Sequence, residues 1–213
     1  KRMYMLQQFD LESTSYNMST VLKITGRLDL ERVEEVFARL IERHETLRTS
    51  FVMKDDTIVQ IVNQDIDFKI DYLDKKGGDT EEVIQNFIRP FNLAQAPLFR
   101  VGICSLSADE YLLICDLHHI ISDGVSNTIL IREFMELYQG QQLEDLRIQY
   151  KDYAYWQSQF IESPEIKEQE EYWLERFDDE LPVLNLPTDY PRRPVKSMKG
   201  DQISYRLDKR LTV

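Results

Sequence analysis

An abrupt change of periodicity near the middle of this chain fixes what must be built there. Tyr111-Leu112-Leu113-Ile114-Cys115 is a short continuous apolar run of the kind a buried strand presents. Beyond it, Val125, Ile129, Phe134 and Leu137 recur at near-helical spacing as far as Gly140. Between the two lies Asp116-Leu117-His118-His119-Ile120-Ile121-Ser122-Asp123-Gly124, and Gly124 marks a turn. The histidines therefore stand where a strand ends and a helix is about to begin, and strand ends are where α/β proteins place chemistry.

Consecutive strand side chains point to opposite faces, so His118 and His119 cannot share a pocket unless the strand has already broken. One is expected to work and the other to support it. Parity alone does not choose: His118 shares a face with Asp116 and Ile114, His119 with Leu117 and Cys115. A metal site is a poor rival. The third histidine is His44, neither cysteine has metal-ligand spacing to a partner, and two adjacent strand histidines chelate badly. The plain alternative is a polar strand end with hydrogen-bonded histidines.

The flanking chain reads as scaffold. Residues 3 to 9 keep Met3, Leu6 and Phe9 at a spacing of three, as at the end of a helix. Thr20 to Leu28 reads as a strand. Asp29 caps a helix whose inward face is Leu30, Val33, Phe37, Leu40, Ile41 and His44, which gives His44 a structural, hydrogen-bonded role. Thr57 to Val62 and Phe68 to Tyr72 follow as strands, with Gly77-Gly78 as a loop. Asp79 and Glu82 have capping-box spacing, and Pro90 stops the helix they open. Phe99, Val101 and Ile103 alternate as a strand that pairs with the Tyr111 run through Ser107-Ala108-Asp109-Glu110.

This order of elements predicts an α/β fold, a two-layer sandwich of mixed sheet and packed helices. Tyr150, Tyr153, Ala154, Gln157, Phe160 and Ile161 line one face of a later helix, and Pro164 separates it from another containing Ile166, Trp173, Leu174 and Phe177. These aromatics, Trp156 included, are expected to be core. From Leu181 the prolines at 182, 187, 191 and 194 forbid a continuous helix. We therefore divide the chain into a lobe, 1–180, and an extended crossover segment, 181–213, with one more strand over Asp201 to Leu207.

At 213 residues, 42% hydrophobic, the chain can bury a sizeable core. Its net charge of -12 argues against nucleic acid and against anionic membrane surfaces, both of which reward clustered Lys and Arg. No apolar stretch approaches a membrane span, and the N-terminus lacks a secretory h-region. Cys104 and Cys115, in two predicted strands, read as reduced core residues of a cytoplasmic protein.

Several motifs resemble, in order, those of condensation domains of nonribosomal peptide synthetases, relatives of chloramphenicol acetyltransferase. His118-His119-Ile120-Ile121-Ser122-Asp123-Gly124 resembles the family's HHxxxDG. Arg43-His44-Glu45-Thr46-Leu47-Arg48-Thr49-Ser50-Phe51 is similar to its RHExLRTxF, and Tyr150-Lys151-Asp152-Tyr153-Ala154-Tyr155-Trp156-Gln157 to its YxDYAxWQ. Leu186 to Pro194 looks like its LPTDxPRP, and Met3 to Asp10 like the tail of its first motif.

The resemblance implies a chloramphenicol acetyltransferase-like N-terminal lobe, with a C-terminal lobe following it. It implies an amide-forming acyltransferase that joins an upstream acyl or peptidyl thioester to a downstream aminoacyl thioester. It implies no cofactor of the domain's own, because the substrates ride on the phosphopantetheine arms of donor and acceptor peptidyl carrier proteins, beside an adenylation domain. By motif position His119 meets the reacting amine and His118 supports it. Asp123 is structural in the family, pairing with an early-motif arginine, for which Arg48 is the candidate and Arg43 the alternative. Gly124 supplies either positive φ or close approach to the donor arm. Rival readings are an epimerisation domain, a coenzyme A-dependent acyltransferase on the same fold, and a non-catalytic carrier-recruiting module. The lobe alone is expected to be inactive.

Overall fold

In a computed structural model of the chain, residues 1–74, 79–191, 194 and 203–211 are described. They fall into two compact units, Lys1–Ile166 and Lys167–Val213. The first carries α1 (Arg2–Phe9), β1 (Asn17–Thr25), α2 (Leu30–Arg43), β2 (Thr49–Lys54), β3 (Thr57–Val62), β4 (Asp71–Leu73), α3 (Thr80–Phe87), β5 (Phe99–Ser107), β6 (Glu110–His118), α4 (Gly124–Tyr138) and α5 (Tyr150–Phe160). A further helix, α6 (Pro164–Arg176), starts in the first unit and continues in the second. The first compact unit thus ends inside α6.

Four strands form a sheet in the order β1-β6-β5-β4. β6 lies antiparallel between β1 and β5, and β4 runs parallel to β5, so the sheet is mixed as the element order implied. Period-two alternation sorts the side chains of its central strands. Phe99, Val101, Ile103, Leu113 and Leu117 join Val33, Phe37 and Leu40 of α2 and Leu137 of α4 in the main core. The other face holds a smaller core of Cys104, Leu112 and Ile114 against Phe87 of α3. There Gly102 is required: a Cβ would lie 2.8 Å from the Phe87 ring. Both cysteines are free, and burial pushes the Cys115 thiol up to about 12, so it is an inert apolar group.

Asp29 caps α2, its Oδ1 accepting from the Arg32 amide at 3.1 Å. Several expectations change. β1 begins at Asn17, because its ladder with β6 extends to the Asn17–His118 pair. β2, which periodicity missed, pairs with β3 as a separate hairpin turned by Asp55 and Asp56, both at positive φ. Of the strand expected over Phe68 to Tyr72 only the last two residues belong to β4. Phe68 instead stacks on Phe99 at 5.5 Å, so its alternation reflects core packing without ladder pairing. Asp79 sits at the N-cap of α3 but its side chain makes no cap hydrogen bond, so the capping box is not formed. Gly77-Gly78 lies outside the described residues.

The aromatic face of α5 is not core. Trp156 is 53% exposed, and Tyr150 and Tyr153 are exposed as well; the rings pack on one another, Trp156 stacking on Phe160 at 5.0 Å. In the second unit Trp173 is exposed likewise and stacks on Phe177 at 5.9 Å. From Leu181 to Pro191 the chain is exposed and irregular, as the prolines require. The strand over Asp201 to Leu207 is not formed: Ile203 to Leu207 is exposed irregular chain with no pairing neighbour among the described residues, and Asp201 and Gln202 lie outside them. No described helix is long and apolar enough to cross a membrane.

Candidate functional site

β6 ends at His118, and the chain breaks before His119, which separates the two rings. His118 is fully buried. Its backbone N–H donates to Leu98 O at 3.0 Å, while the ring lies against Tyr16 and edge-on to Phe91. The tautomer follows from the partners. Gln7 spends its amide Nε2 on the Asp10 and Ser13 carbonyls, so its Oε1 accepts from His118 Nε2–H at 3.3 Å. Nδ1 accepts from the Ile120 amide at 3.0 Å. Burial, and then the charge of His119, lower the His118 pKa to about 4, so the ring is neutral and spends both nitrogens on structure.

The same sheet face carries a buried charge next to it. Asp116, with no exposed surface, accepts from Asn17 Nδ2 and Ser19 Oγ, each at 2.8 Å, and sits 3.7 Å from Arg100. Arg100 lies 3.6 Å over the Phe91 ring. Burial raises the Asp116 pKa against the pull of Ser19, Arg100 and Asn17, and lowers that of Arg100 to about 10. Sheet parity, which left the histidines open, now assigns His118 to this buried polar face.

His119 has stepped off the strand and is exposed. Its amide still extends the ladder, donating to Tyr16 O at 2.7 Å. Its ring Nδ1 is 2.7 Å from Ser122 O; a carbonyl can only accept, so Nδ1 carries the proton and Nε2 holds the lone pair in the neutral ring. No described residue hydrogen-bonds Nε2. The ring lines a cleft of about 600 Å³. Ser126, Ile129 and Glu133, at helical spacing, make α4 one wall of it, with Phe51, Ile148 and Tyr150 among the other lining residues.

Asp123 caps α4. Its Oδ1 accepts from Ser126 N at 2.8 Å and Ser126 Oγ at 2.7 Å, bonds that hold its carboxyl below the usual carboxylate range. The pair expected with Arg48 is not formed: Arg48 donates to Asn63 O at 2.9 Å and lies 3.7 Å from Glu45. Asp123 lies at an exposed helix start, where backbone donors need an acceptor, and the cap supplies it. Arg43 does reach α4, at its other end: Nε donates to Glu133 Oε2 at 3.1 Å, beside His44 Nε2 at 2.6 Å. Gly124 is the first helical residue, not a positive-φ turn, and a Cβ there would meet nothing within 4 Å.

Glu133 escaped the sequence reading, although a carboxylate four residues after Ile129, within an apolar helical stripe, signals a buried partner. Gln7 and Ser122 O left no comparable trace, because one acts across 111 residues and the other through its backbone. No cluster that could hold a metal ion occurs among the described residues. Chemically, the site offers one accessible imidazole lone pair in a largely apolar cleft.

The sequence model of the family described as Condensation domain matches residues 1–213. The chain is 50% identical over 208 residues to surfactin synthase subunit 1 of Bacillus subtilis, covering 98% of this chain and 6% of that protein. It is 47% identical over 211 residues to gramicidin S synthase 2 of Brevibacillus brevis, covering 99% and 5%. The chain thus spans a small fraction of the length of the curated relatives it matches. Among solved structures it is similar to the starter condensation domain of rhizomide synthetase, with TM-score 0.71 and 22% identity over 82% of this chain and 45% of that one. It is also similar to the X-domain solved with OxyB from teicoplanin biosynthesis, with TM-score 0.77 and 23% identity over 90% and 45%. These two likenesses concern the fold.

Proposed function

The chain belongs to the condensation domain family, and from that premise we propose that it is the N-terminal lobe of an amide-forming acyltransferase in nonribosomal peptide synthesis. The amine nitrogen of a carrier-bound aminoacyl thioester attacks the carbonyl carbon of an upstream acyl or peptidyl thioester. The C–N bond forms, the C–S bond breaks and the donor's pantetheine sulfur leaves. The proton released by the amine passes to His119 Nε2 and on to the departing thiolate. The observation that carries this reading is the Nδ1–H to Ser122 O bond, which presents the opposite nitrogen as an acceptor in the cleft.

An α-amine has a reference pKa of about 7.7 to 8.0, so near neutrality much of the nucleophile is protonated and needs a proton acceptor. General-base transfer contributes typically ~10²- to 10⁴-fold, whereas positioning supplies about 7 to 11 kcal/mol, so orientation of the amine is the larger share of the work. His118 supports the turn by accepting the Ile120 amide. Asp123 fixes the start of α4, and Gly124 leaves room for a pantetheine arm. The substrates arrive on the phosphopantetheine of donor and acceptor carriers, with an adenylation domain loading the acceptor.

Because positioning dominates and the resemblance implies a C-terminal lobe that completes the site, residues 1–213 alone are expected to form little or no peptide bond. The test supplies loaded donor and acceptor carriers to the full-length protein and follows the product by mass. Condensed product that disappears in His119→Ala supports the reading, and unchanged product from that variant overturns it. Comparable turnover by residues 1–213 alone would remove the need for a second lobe.

A further inference from the structure

Glu133 is a buried carboxylate on a wall of the cleft that no motif reading uses. It is 5% exposed and lies on α4 on the same face as Ser126 and Ile129. One oxygen, Oε2, takes both Arg43 Nε at 3.1 Å and His44 Nε2 at 2.6 Å, from the last residue of α2 and its C-cap. The α2 end is tied in turn to the chain before α5. Gln149 donates from Nε2 to Arg43 O at 2.9 Å and accepts at Oε1 from the Glu45 amide at 3.2 Å. Two segments bordering the cleft, α4 and the end of α2, thus meet at one carboxylate, and Gln149 ties the chain before α5 to the second of them.

The other end of α4 carries the site. Ser122, buried just before the helix, donates its hydroxyl to Asn127 Oδ1 on the first turn at 3.1 Å, and its carbonyl holds His119 Nδ1. Moving α4 moves Asn127 and Ser122 together, and with them the ring of His119. Charge-assisted hydrogen bonds are shorter and roughly twice as strong as neutral ones, so the double contact fixes this part of α4 against the end of α2.

We infer that Glu133 is a positioning residue: by clamping α4 to the end of α2 it keeps the Ser122 carbonyl aimed at His119, and so sets the direction of the His119 lone pair. This rests on the proposed role of His119, but the clamp is testable without it. In near-attack geometries a displacement of about 1 Å can cost on the order of 100-fold. A loosened clamp should therefore act on turnover, not on substrate capture.

The experiment uses the full-length protein carrying Glu133→Ala, with Arg43→Lys as the second variant should the first precipitate, since lysine keeps the charge but loses the Nε donor. Three quantities are read: kcat and KM for condensation of loaded carriers, and the rate of His119 carbethoxylation by diethyl pyrocarbonate, measured on the modified peptide. We expect kcat to fall on the order of tenfold to 100-fold with KM little changed, and the rate of His119 carbethoxylation to shift at least about twofold as Nδ1 loses its fixed acceptor, with rescue in Glu133→Gln, which keeps an acceptor oxygen. Folded variants with wild-type kcat and wild-type His119 reactivity overturn the inference. If the wild-type protein makes no peptide bond, the function reading fails, while the carbethoxylation rates still decide the clamp.

Discussion

The buried end of β6 and the turn that follows it differ by one residue in sequence and by nearly everything in physics. On the strand side, His118, Asp116 and Arg100 are packed against Gln7, Asn17, Ser19 and Phe91, and both nitrogens of His118 and both oxygens of Asp116 are spent on neighbours. On the turn side, His119 spends one nitrogen on Ser122 O and keeps the other free of described partners. The hydrogen-bond partners select opposite tautomers, Nε2–H in His118 and Nδ1–H in His119. The lesson is that a repeated residue need not mean a repeated role: one imidazole holds the strand end together so that the next can be held out of it.

Four perturbations would break or sharpen this contrast. The largest effect is expected from His119→Ala, which should lower condensation by the full-length protein by ~10²- to 10⁴-fold while leaving the unfolding midpoint near wild type. Next, Arg100→Met leaves the buried Asp116 carboxylate without its counter-ion, at a cost of about 3 to 5 kcal/mol in denaturant unfolding. That loss should shrink on acidification, because a protonated Asp116 no longer needs the arginine.

The third test is pH. His118 falls to about 4 in the fold from an ordinary value of 6.5, so between those values the unfolded chain binds more protons than the native one. Its contribution is therefore complete above about pH 6.5 and is lost as pH falls toward 4, up to roughly 3 kcal/mol. Asp116, raised by burial, acts with the opposite sign above its ordinary value, so the measurement is the difference between wild type and His118→Leu across pH 4 to 8. A constant difference would mean that His118 does not titrate as its burial requires. The smallest effect is expected from Asp123→Ala, which loses an exposed cap and should lower the midpoint by a few degrees, with Asp123→Asn close to wild type.

How much of this was legible in the sequence depends on the range of the interaction. The βα junction, the β5–β6 hairpin, the Asp29 cap and the breaks at Pro164 and beyond Leu181 are set by neighbours within a few residues, and periodicity finds them. The Asp123–Arg48 pair failed because order along the chain does not say which arginine reaches which end of α4. Arg43 reaches Glu133, and Asp123 is satisfied three residues away. The α5 aromatics failed for another reason. Helical spacing shows that Tyr150, Tyr153 and Phe160 share a side, but not what covers it, and Trp156 joins them through its contacts with Tyr153 and Phe160.

The most direct test of the division between the histidines is a crossed comparison of His118→Gln and His119→Gln in the full-length protein, reading the single-turnover condensation rate and the unfolding midpoint side by side. The account predicts that His119→Gln loses the rate at an unchanged midpoint, while His118→Gln lowers the midpoint and any rate it loses returns under conditions that stabilise the fold. A His119→Gln protein that condenses at the wild-type rate, or a His118→Gln protein fully stable yet inactive, would contradict it.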